Sequence, residues 1–456
     1  MSVAQNDMTR ACFFDMDGVL FDSMPNHAKA WEKVMNAHHF TFSARDCYVN
    51  EGRTGQDVIR EALEKNGVYD ATDEEIWHIY NEKSAEFHRL GGAQPMPGMA
   101  EVLADLQEAG AQIWVVTGSG QKTLLDHLNE AFMAKHKATP YFARERMITA
   151  YDVTHGKPHP EPYLKAWERS GLGKDECMVV ENAPLGVRAG KAAGLFTVAV
   201  NTGILTDQDL WKAGADIVMH DMYELRRFIQ LKHYIDTNIL PLYDTFDLGH
   251  NRQHAEKVIA ESLNLCRELG MSNDSTLPAG TINDRMINGK MVNVLMVYVA
   301  AAMHDVGLQT DREHHHLHSG AFIREDKALR QWFSEEQIAT VAEAAEDHRA
   351  SRKEPPRSIY GCIVAEADRD IDAMTILRRT VQFGMKHYPC LSKQEHLERA
   401  YCHLLEKYAE GGYLKLWMHS SRNEQGLAEL RSIIHDKQRL MQLCSELYDE
   451  TAAFLK

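Results

Sequence analysis

The stretch FFDMDGVLFDS, Phe13–Ser23, places two carboxylates, Asp15 and Asp17, one residue apart directly after an apolar run. Taken alone, this Asp–x–Asp–Gly pattern indicates either an acidic turn that closes a strand or a centre for phosphoryl transfer. The residues around the other apolar runs distinguish these two interpretations. Three such runs follow in the first half of the chain: Ile113–Val116, Met178–Val180 and Phe196–Val200.

Segments with helical spacing separate the apolar runs, for example Met99–Gly110 and Leu185–Gly194. Strands that alternate with helices, and that are apolar throughout, are typical of a parallel sheet covered on both faces. The first half is therefore predicted to be an α/β, Rossmann-like domain. From about Ser23 to Gln94 helical patterns interrupt this alternation, and we interpret them as an inserted helical cap.

Polar residues follow three of the apolar runs at the point where each predicted strand ends. They are DMDG at Asp15–Gly18, TGSG at Thr117–Gly120 and ENAP at Glu181–Pro184, and the loop HGKPHPEPY at His155–Tyr163 lies between the last two. Ligands bind outside the carboxyl ends of the strands in such sheets, so these side chains are predicted to converge. A carboxylate nucleophile, a divalent ion, and hydroxyl and ammonium groups that hold phosphate oxygens together suit phosphoryl transfer.

In this combination the residues resemble the haloacid dehalogenase superfamily of phosphohydrolases, over roughly residues 9 to 220. The spacing of DMDGVLFDS, followed by a helical cap, is similar to the β-phosphoglucomutase-like subgroup. The resemblance implies that Asp15 is the nucleophile that forms an aspartyl-phosphate and that Asp17 is the general acid/base. It also implies that Thr117, Gly118 and Lys157 bind the transferring phosphoryl group.

The same resemblance implies a Mg²⁺ ion held by Asp15, by the main-chain carbonyl of Asp17, and by Glu181 and Asn182. The subgroup commonly has Glu–Asp at the last two positions, whereas this chain has Glu181–Asn182. An amide oxygen still ligates Mg²⁺ but contributes no charge. We therefore expect a metal site that binds Mg²⁺ more weakly.

Substrate specificity is expected to come from the cap. His27 lies ten positions after Asp17 on the first predicted cap helix, and Arg53 lies in the loop EGRTG. By resemblance these side chains contact the leaving group or a distal phosphate, and Arg is suited to bidentate phosphate contacts. For His27, an exposed position on a helix is an equally good interpretation.

After about Asp221 the strand patterns stop, and the second half is predicted to be a separate all-α domain. The segment GHNRQHAEKV puts His250 and His254 one helical turn apart, and the apolar run 291–303 leads directly into His304–Asp305. Buried ionisable groups need partners, and imidazoles with carboxylates are ligands for divalent ions such as Mn, Fe, Co, Ni or Zn. Further candidate ligands follow along the chain: His318, His348 and Asp368.

The order His, His-Asp, Asp resembles the HD-domain metal-dependent phosphohydrolases, over roughly residues 240 to 375. The resemblance implies that one metal ion is held by His254, His304, Asp305 and Asp368. His318 and His348 match the histidines that bind a second metal or contact phosphate in such proteins, while His250 is an accessory histidine or helix surface. The tract His314–His316 is expected to lie in a solvated loop. The implied reaction is attack of a metal-activated water on a phosphoester or phosphoanhydride.

The length of 456 residues favours more than one core. We expect a phosphatase domain at 1–222, a helical linker at 223–240 and an HD domain at 241–456. A net charge of −16 argues against a nucleic-acid partner, because binding a phosphate backbone needs excess lysine and arginine. No apolar run reaches the roughly 20 residues that span a bilayer, and the N-terminus carries no signal-peptide pattern, so a cytoplasmic location is expected.

The sequence thus predicts a bifunctional phosphohydrolase that acts on small phosphorylated metabolites, with no nucleic-acid or membrane partner. Two alternatives stay open. The first half is a true β-phosphoglucomutase, or one half is a non-catalytic sensor that binds a phosphorylated metabolite and regulates the other. Asn182 is the feature that favours a sensor role for the first half.

Overall fold

The computed structural model describes residues 9–91, 93–119, 124–132, 140–247, 249–271, 292–352, 354–418 and 421–454. Contacts between residues divide the chain into two compact units. The first comprises Met1–Pro241 and Arg267–Asn273, and the second comprises Leu242–Cys266 and Asp274–Lys456. Among the described residues, no helix is both long enough and apolar enough to cross a membrane.

A six-stranded parallel sheet forms the centre of the first unit. The strands are β1 (Ala11–Phe14), β2 (Gln112–Val116), β3 (Met147–Ile148), β4 (Cys177–Glu181), β5 (Phe196–Val200) and β6 (Ile217–Met219). Their order in the sheet is β3-β2-β1-β4-β5-β6, with Phe14 in register with Val115 on one side and Val180 on the other. This central position buries every residue of β1. The α/β, Rossmann-like expectation is confirmed.

Four helices between β1 and the rest of the sheet form the cap: α1 (Met24–Ala37), α2 (Ala44–Val49), α3 (Gly55–Lys65) and α4 (Asp73–Arg89). The side chains of Ser43 and Thr72 accept hydrogen bonds from backbone N–H groups at the starts of α2 and α4, which satisfies donors that a helix leaves unpaired. The cap has its own apolar cluster, which includes Trp31, Ile59 and Ile76.

Six further helices cover the sheet of the first unit: α5 (Met99–Glu108), α6 (Leu124–Ala131), α7 (Glu161–Ser170), α8 (Pro184–Ala192), α9 (Asp207–Ala213) and α10 (Met222–Tyr234). Helix α10 covers the first part of the predicted linker. It packs against α5, where Arg226 and Gln230 both donate hydrogen bonds to Asp105. A π-helical turn, Ile235–Ile239, follows α10.

The described residues of the second unit form helices joined by loops and turns, with no strand, which confirms the all-α expectation. Its helices are α11 (Arg252–Met271), which belongs to this unit up to Cys266, α12 (Val294–Met303), α13 (His315–Glu325), α14 (Glu335–Asp347), α15 (Ile359–Ala367), α16 (Ala373–His387), α17 (Lys393–Tyr408), α18 (Ser421–His435) and α19 (Lys437–Phe454). Helix α12 lies inside the predicted apolar run, and its residues from Met296 to Met303 are all buried. The last four helices share an apolar cluster that includes Leu377, Leu404 and Leu430.

Candidate active sites

The carboxyl ends of the central strands bring the predicted side chains of the first unit together. Asp15 follows β1, Thr117 follows β2 and Glu181 is the last residue of β4. The backbone N–H of Asp15 donates to the carbonyl of Val180 at 3.0 Å, which continues the pairing of the two strands one residue further. Asp15, Thr117, Lys157, Glu181 and Asn182 are all buried.

The ammonium group of Lys157 links the two carboxylates at this edge. Its Nζ lies 2.5 Å from Asp15 Oδ1 and 2.6 Å from Glu181 Oε1, and it donates a third hydrogen bond to the carbonyl of Val116 at 3.0 Å. Burial alone would lower the pKa of Lys157, but Asp15 and Glu181 raise it above its usual value. Lys157 is therefore a fixed positive charge beside Asp15.

Glu181 has a second buried donor, which sequence reasoning did not assign. The hydroxyl of Tyr163, on α7, donates to Glu181 Oε1 at 2.6 Å, and the N–H of Asn182 donates to Oε2 at 3.2 Å. Tyr163 ends the quoted loop HGKPHPEPY, but only the fold shows that it faces β4. A Cβ at Gly186 would overlap the Glu181 carboxylate, so glycine is required there.

Asp15 and Asp17 differ in their proton affinities. Burial raises the pKa of Asp15 to about 7, with Lys157 opposing the shift and the Glu181 carboxylate adding to it. Burial would also raise the pKa of Asp17, but His27 and the Ser23 hydroxyl hold it at about 2. This order is the reverse of what the implied roles need, because a nucleophile acts in its ionised form and a general acid in its protonated form.

His27 lies against Asp17 and not on the exposed helix surface. Its Nε2 is 3.3 Å from Asp17 Oδ1, its Nδ1 is 2.7 Å from the Nζ of Lys83, and its ring stacks on Phe87 with centroids 4.0 Å apart. An ammonium group only donates, so Nδ1 is the acceptor and Nε2 carries the proton donated to Asp17. Sequence reasoning missed Lys83, which comes from α4.

Two buried oxygens at this edge fit a divalent cation. Asp15 Oδ2 and Asn182 Oδ1 are buried without a hydrogen-bond partner among the described residues. Carboxylate and amide oxygens are the ligands that Mg²⁺ takes. Gly18 has a φ of +84°, and a Cβ at that position would overlap the Asn182 amide. Glycine therefore leaves room there for the Asn182 side chain. The donor set of the first site is therefore suited to Mg²⁺.

Replacing Asn182 with aspartate is expected to strengthen Mg²⁺ binding roughly tenfold, because ligand charge tunes the affinity of oxygen sites. Without Mg²⁺ the same change should lower the unfolding temperature, since a third carboxylate is added beside Asp15 and Glu181. Thermal unfolding across a Mg²⁺ titration measures both effects. Asn81→Asp, at an exposed position of α4, is the matched control. An unchanged Mg²⁺ midpoint would show that Asn182 does not face the ion.

The cap lies over a partly open cavity of about 800 Å³ at the catalytic edge. Its lining includes Asp17, His27, Thr117 and Gly118, so the predicted phosphate and acid/base groups share one chamber. Arg53 also lines the cavity, and its guanidinium forms an ion pair with Glu61 of α3. The predicted contact of Arg53 with a distal phosphate would compete with this pair.

In the second unit, helix ends bring two groups of metal-ligating atoms together. His254 Nε2 lies 3.2 Å from Asp368 Oδ1 and 3.3 Å from His304 Nε2. These three side chains make up the first group. His304 directly follows α12 and Asp368 directly follows α15, so each of these side chains is at a fixed position of the helical core.

The second group consists of Asp305, His315 and His348. Asp305 Oδ1 lies 3.3 Å from the Nε2 atoms of both His315 and His348. Its other oxygen, Oδ2, lies 3.3 Å from His304 Nε2, in the first group. The Asp305 carboxylate therefore stands between the two groups, as a ligand bridging two metal ions would.

The hydrogen bonds of the imidazoles also fit cations. The Nδ1 atoms of His304, His315 and His348 each face a backbone carbonyl of their own turn, at 2.6 to 2.8 Å. A carbonyl only accepts, so Nδ1 carries the proton and the lone pair of Nε2 points into the site. His315 Nε2 and His348 Nε2 are 3.2 Å apart, a separation that a cation between them stabilises.

The pKa values of the site residues also show that positive charge is favoured there. Burial alone would lower the pKa of His304, yet Asp305 and Asp368 raise it to about 9. Burial would raise the pKa of Asp368, but His254 and His304 hold it at about 2. Ligands bind a metal ion in their deprotonated forms. A bound metal ion would therefore replace the positive charge that the imidazoles lose with their protons.

His315 occupies the position that was considered for His318. The expectation of a solvated loop at His314–His316 is wrong, because α13 begins at His315 and turns this side chain toward Asp305. His318 instead pairs with Asp311, with Nε2 and Oδ2 2.7 Å apart, and His250 pairs with Asp247.

Tyr243, another residue that sequence reasoning missed, holds the His304–Asp305 turn in place. Its buried hydroxyl donates to the carbonyl of Ala302 at 2.9 Å and accepts from the N–H of Asp305 at 3.2 Å. These two hydrogen bonds connect the last turn of α12 to the backbone of Asp305. Tyr243 therefore orients the Asp305 candidate ligand through its backbone.

Two family models match this chain, and each matched region contains one of the two sites. The model of haloacid dehalogenase-like hydrolases matches residues 9–194, which contain Asp15, Lys157 and Glu181. The HD domain model matches residues 253–372, which contain both groups of metal-ligating residues of the second unit. Both families are metal-dependent, in agreement with the donor sets described above.

Known relatives cover the first half of the chain. Hexitol phosphatase A of Escherichia coli (strain K12) is 30% identical over 214 residues, which are 46% of this chain and 91% of that protein. Beta-phosphoglucomutase of Mycobacterium bovis (strain ATCC BAA-935 / AF2122/97) is 29% identical over 249 residues, 48% of this chain and 92% of that protein. A solved structure from Bacteroides vulgatus is 44% identical, covering 50% of this chain and 91% of that chain, with a TM-score of 0.46. The chain thus belongs to the haloacid dehalogenase-like hydrolases through its first half, which has β-phosphoglucomutase-like relatives, and it carries an HD domain in its second half.

Proposed function

We propose that the first unit is a Mg²⁺-dependent phosphatase that hydrolyses a small, sugar-phosphate-like monoester through an aspartyl-phosphate on Asp15. The observation that carries this proposal is the hydrogen-bond arrangement around Asp15. One of its carboxylate oxygens is held by Lys157, and the other is buried at the metal edge without a hydrogen-bond partner among the described residues. Such a fixed carboxylate is ready for in-line attack on phosphorus.

The residues of the chain divide the reaction into two steps. An Asp15 oxygen attacks phosphorus as the ester bond breaks, and Asp17 gives its proton to the departing alkoxide. Lys157 and Thr117 bind the phosphoryl oxygens. Asp17 must gain a proton before this step, and a bound phosphate dianion favours the protonated form, because like charges raise the pKa of a carboxyl group. Asp17 then takes a proton from the water that releases phosphate from Asp15.

The Mg²⁺ ion, when bound, offsets the negative charge of Asp15 and of the phosphoryl group. His27 orients Asp17, and Lys83 orients His27 by holding its tautomer. The cap residues line the cavity, and the second step needs a water molecule to reach Asp15 from it.

The main alternative for the first unit is a β-phosphoglucomutase, which the M. bovis relative favours by its name. The two reactions share the aspartyl-phosphate and differ in whether water or a second substrate hydroxyl accepts the phosphoryl group. Incubation with β-glucose 1-phosphate and Mg²⁺, within a panel of sugar and polyol phosphates, separates them. One free phosphate per ester consumed supports the phosphatase, whereas glucose 6-phosphate formed without free phosphate contradicts it.

For the second unit we propose metal-dependent hydrolysis of a phosphoester or nucleotide at a site with two divalent transition metal ions. His254, His304 and Asp368 would hold one ion, and His315 and His348 would hold the other, with Asp305 between them. The two ions, when bound, activate a water molecule and offset the charge of the phosphate. The bridging position of Asp305 is the observation that supports two ions and not one.

A further inference from the structure

All three N–H donors of the Lys157 ammonium group are used within the protein. An ammonium group has three such donors, and those of Lys157 bond Asp15 Oδ1 at 2.5 Å, Glu181 Oε1 at 2.6 Å and the carbonyl of Val116 at 3.0 Å. The proposed phosphatase mechanism needs Lys157 to bind a phosphoryl oxygen. One of the three acceptors must therefore lose its hydrogen bond to Lys157 when the phosphoryl group arrives.

Glu181 Oε1 is the acceptor that loses this hydrogen bond at the smallest cost. The hydroxyl of Tyr163 also donates to it, at 2.6 Å, so Oε1 keeps one donor after Lys157 has left. In the described part of the chain, neither Asp15 Oδ1 nor the Val116 carbonyl has a second donor. Both of these residues are buried, and a buried acceptor that is left without a donor is unfavourable.

Tyr163 contacts both members of the Lys157–Glu181 pair. Its side chain is fully buried, and its hydroxyl is the donor to Glu181, because a carboxylate only accepts hydrogen bonds. The Nζ of Lys157 lies 5.1 Å from the centroid of the Tyr163 ring, within the range of a cation–π contact. The ring therefore supports Lys157 while the hydroxyl holds Glu181, and these two contacts can be separated by removing the hydroxyl alone.

We propose that Tyr163 is a positioning residue that lets Lys157 exchange Glu181 for a phosphoryl oxygen. In the free site Lys157 and Tyr163 both donate to Glu181 Oε1. In the occupied site Tyr163 alone holds Oε1, while Lys157 keeps its bonds to Asp15 and the Val116 carbonyl and donates its third N–H to the phosphoryl group. This inference rests on the proposed phosphatase function of the same site, and it adds a residue on which phosphate binding depends.

Tyr163→Phe removes the hydroxyl and keeps the ring beside Lys157. The test measures how strongly inorganic phosphate inhibits p-nitrophenyl phosphate hydrolysis by the full-length chain with saturating Mg²⁺, after subtracting the rate of the matching Asp15→Asn variant. The inhibition constant should rise about tenfold, because Glu181 Oε1 loses its last donor only when phosphate is bound. The unfolding temperature without phosphate should fall by at most about 4 °C, because Lys157 still bonds Glu181 there.

Tyr408→Phe, at a buried tyrosine of α17 in the second unit, is the matched control and should leave the inhibition constant unchanged. An unchanged inhibition constant in Tyr163→Phe, a loss confined to kcat, or a larger fall of the unfolding temperature without phosphate would overturn the role of Tyr163. In each of these cases the phosphatase function stands if wild-type hydrolysis requires Asp15. A wild type without Asp15-dependent hydrolysis would contradict the phosphatase function itself.

Discussion

Replacing Asp15 with asparagine is expected to lower phosphomonoester hydrolysis by the first site about a thousandfold or more, because an amide oxygen does not act as the nucleophile. The fold should survive this change. Lys157 keeps its hydrogen bonds to Glu181 and to the carbonyl of Val116, and the amide occupies nearly the same volume as the carboxylate. Phosphate release from p-nitrophenyl phosphate by the full-length chain, with saturating Mg²⁺, measures the effect.

Asp22→Asn is the matched control for this experiment, since Asp22 lies in the same segment but is exposed. It should leave the rate within about twofold of wild type, as surface substitutions usually do. If Asp15→Asn retained most of the wild-type rate, the first unit would not be the source of the activity. That result would favour the alternative in which the first unit is a non-catalytic sensor.

Replacing Asp305 with alanine is expected to remove both metal ions of the second unit. Its two oxygens reach different ligand groups, with Oδ2 at His304 and Oδ1 at His315 and His348. Losing a bridging carboxylate also leaves adjacent imidazoles without the charge that favours cation binding. Metal analysis after dialysis should give two transition metal ions per wild-type chain and fewer than one in the variant.

Two histidine variants make this prediction sharper. His315→Ala should remove one of the two ions, whereas His318→Ala should remove none, because His318 pairs with Asp311 outside the groups. Phosphomonoester hydrolysis by the first site should be unchanged in all three variants. One ion retained by Asp305→Ala would contradict the bridging role, and a metal loss in His318→Ala would contradict the assignment of His315.

The residues at the sheet edge of the first site were predictable because the carboxyl ends of parallel strands meet at one edge of the sheet. Continuous apolar runs followed by DMDG, TGSG and ENAP define strands whose carboxyl ends meet, and the structure brings Asp15, Thr117 and Glu181 to one edge. The strands β3 and β6 were not predicted, since runs of two and three residues carry too little pattern. The roles of these site residues stay predictions until variants are measured.

The supporting residues were not predictable for a physical reason. Tyr163 comes from α7 and Lys83 from the cap helix α4, and their approach to the site depends on tertiary packing alone. From the sequence, His318 was considered as a ligand and His315 was placed in a solvated loop, because the local pattern does not show where α13 begins. The point at which α13 begins decides between them, and His315 is the first residue of that helix.

The most direct measurement is to trap the covalent intermediate on the first site. Full-length chain mixed with a hydrolysed phosphomonoester and Mg²⁺ is quenched in acid within one turnover, digested and analysed by mass spectrometry. The proposed mechanism predicts one phosphoryl group on the peptide that contains Asp15, absent in Asp15→Asn and present in Asp22→Asn. Rapid phosphate release with no phosphoryl group on that peptide, or with one on another residue, would contradict it.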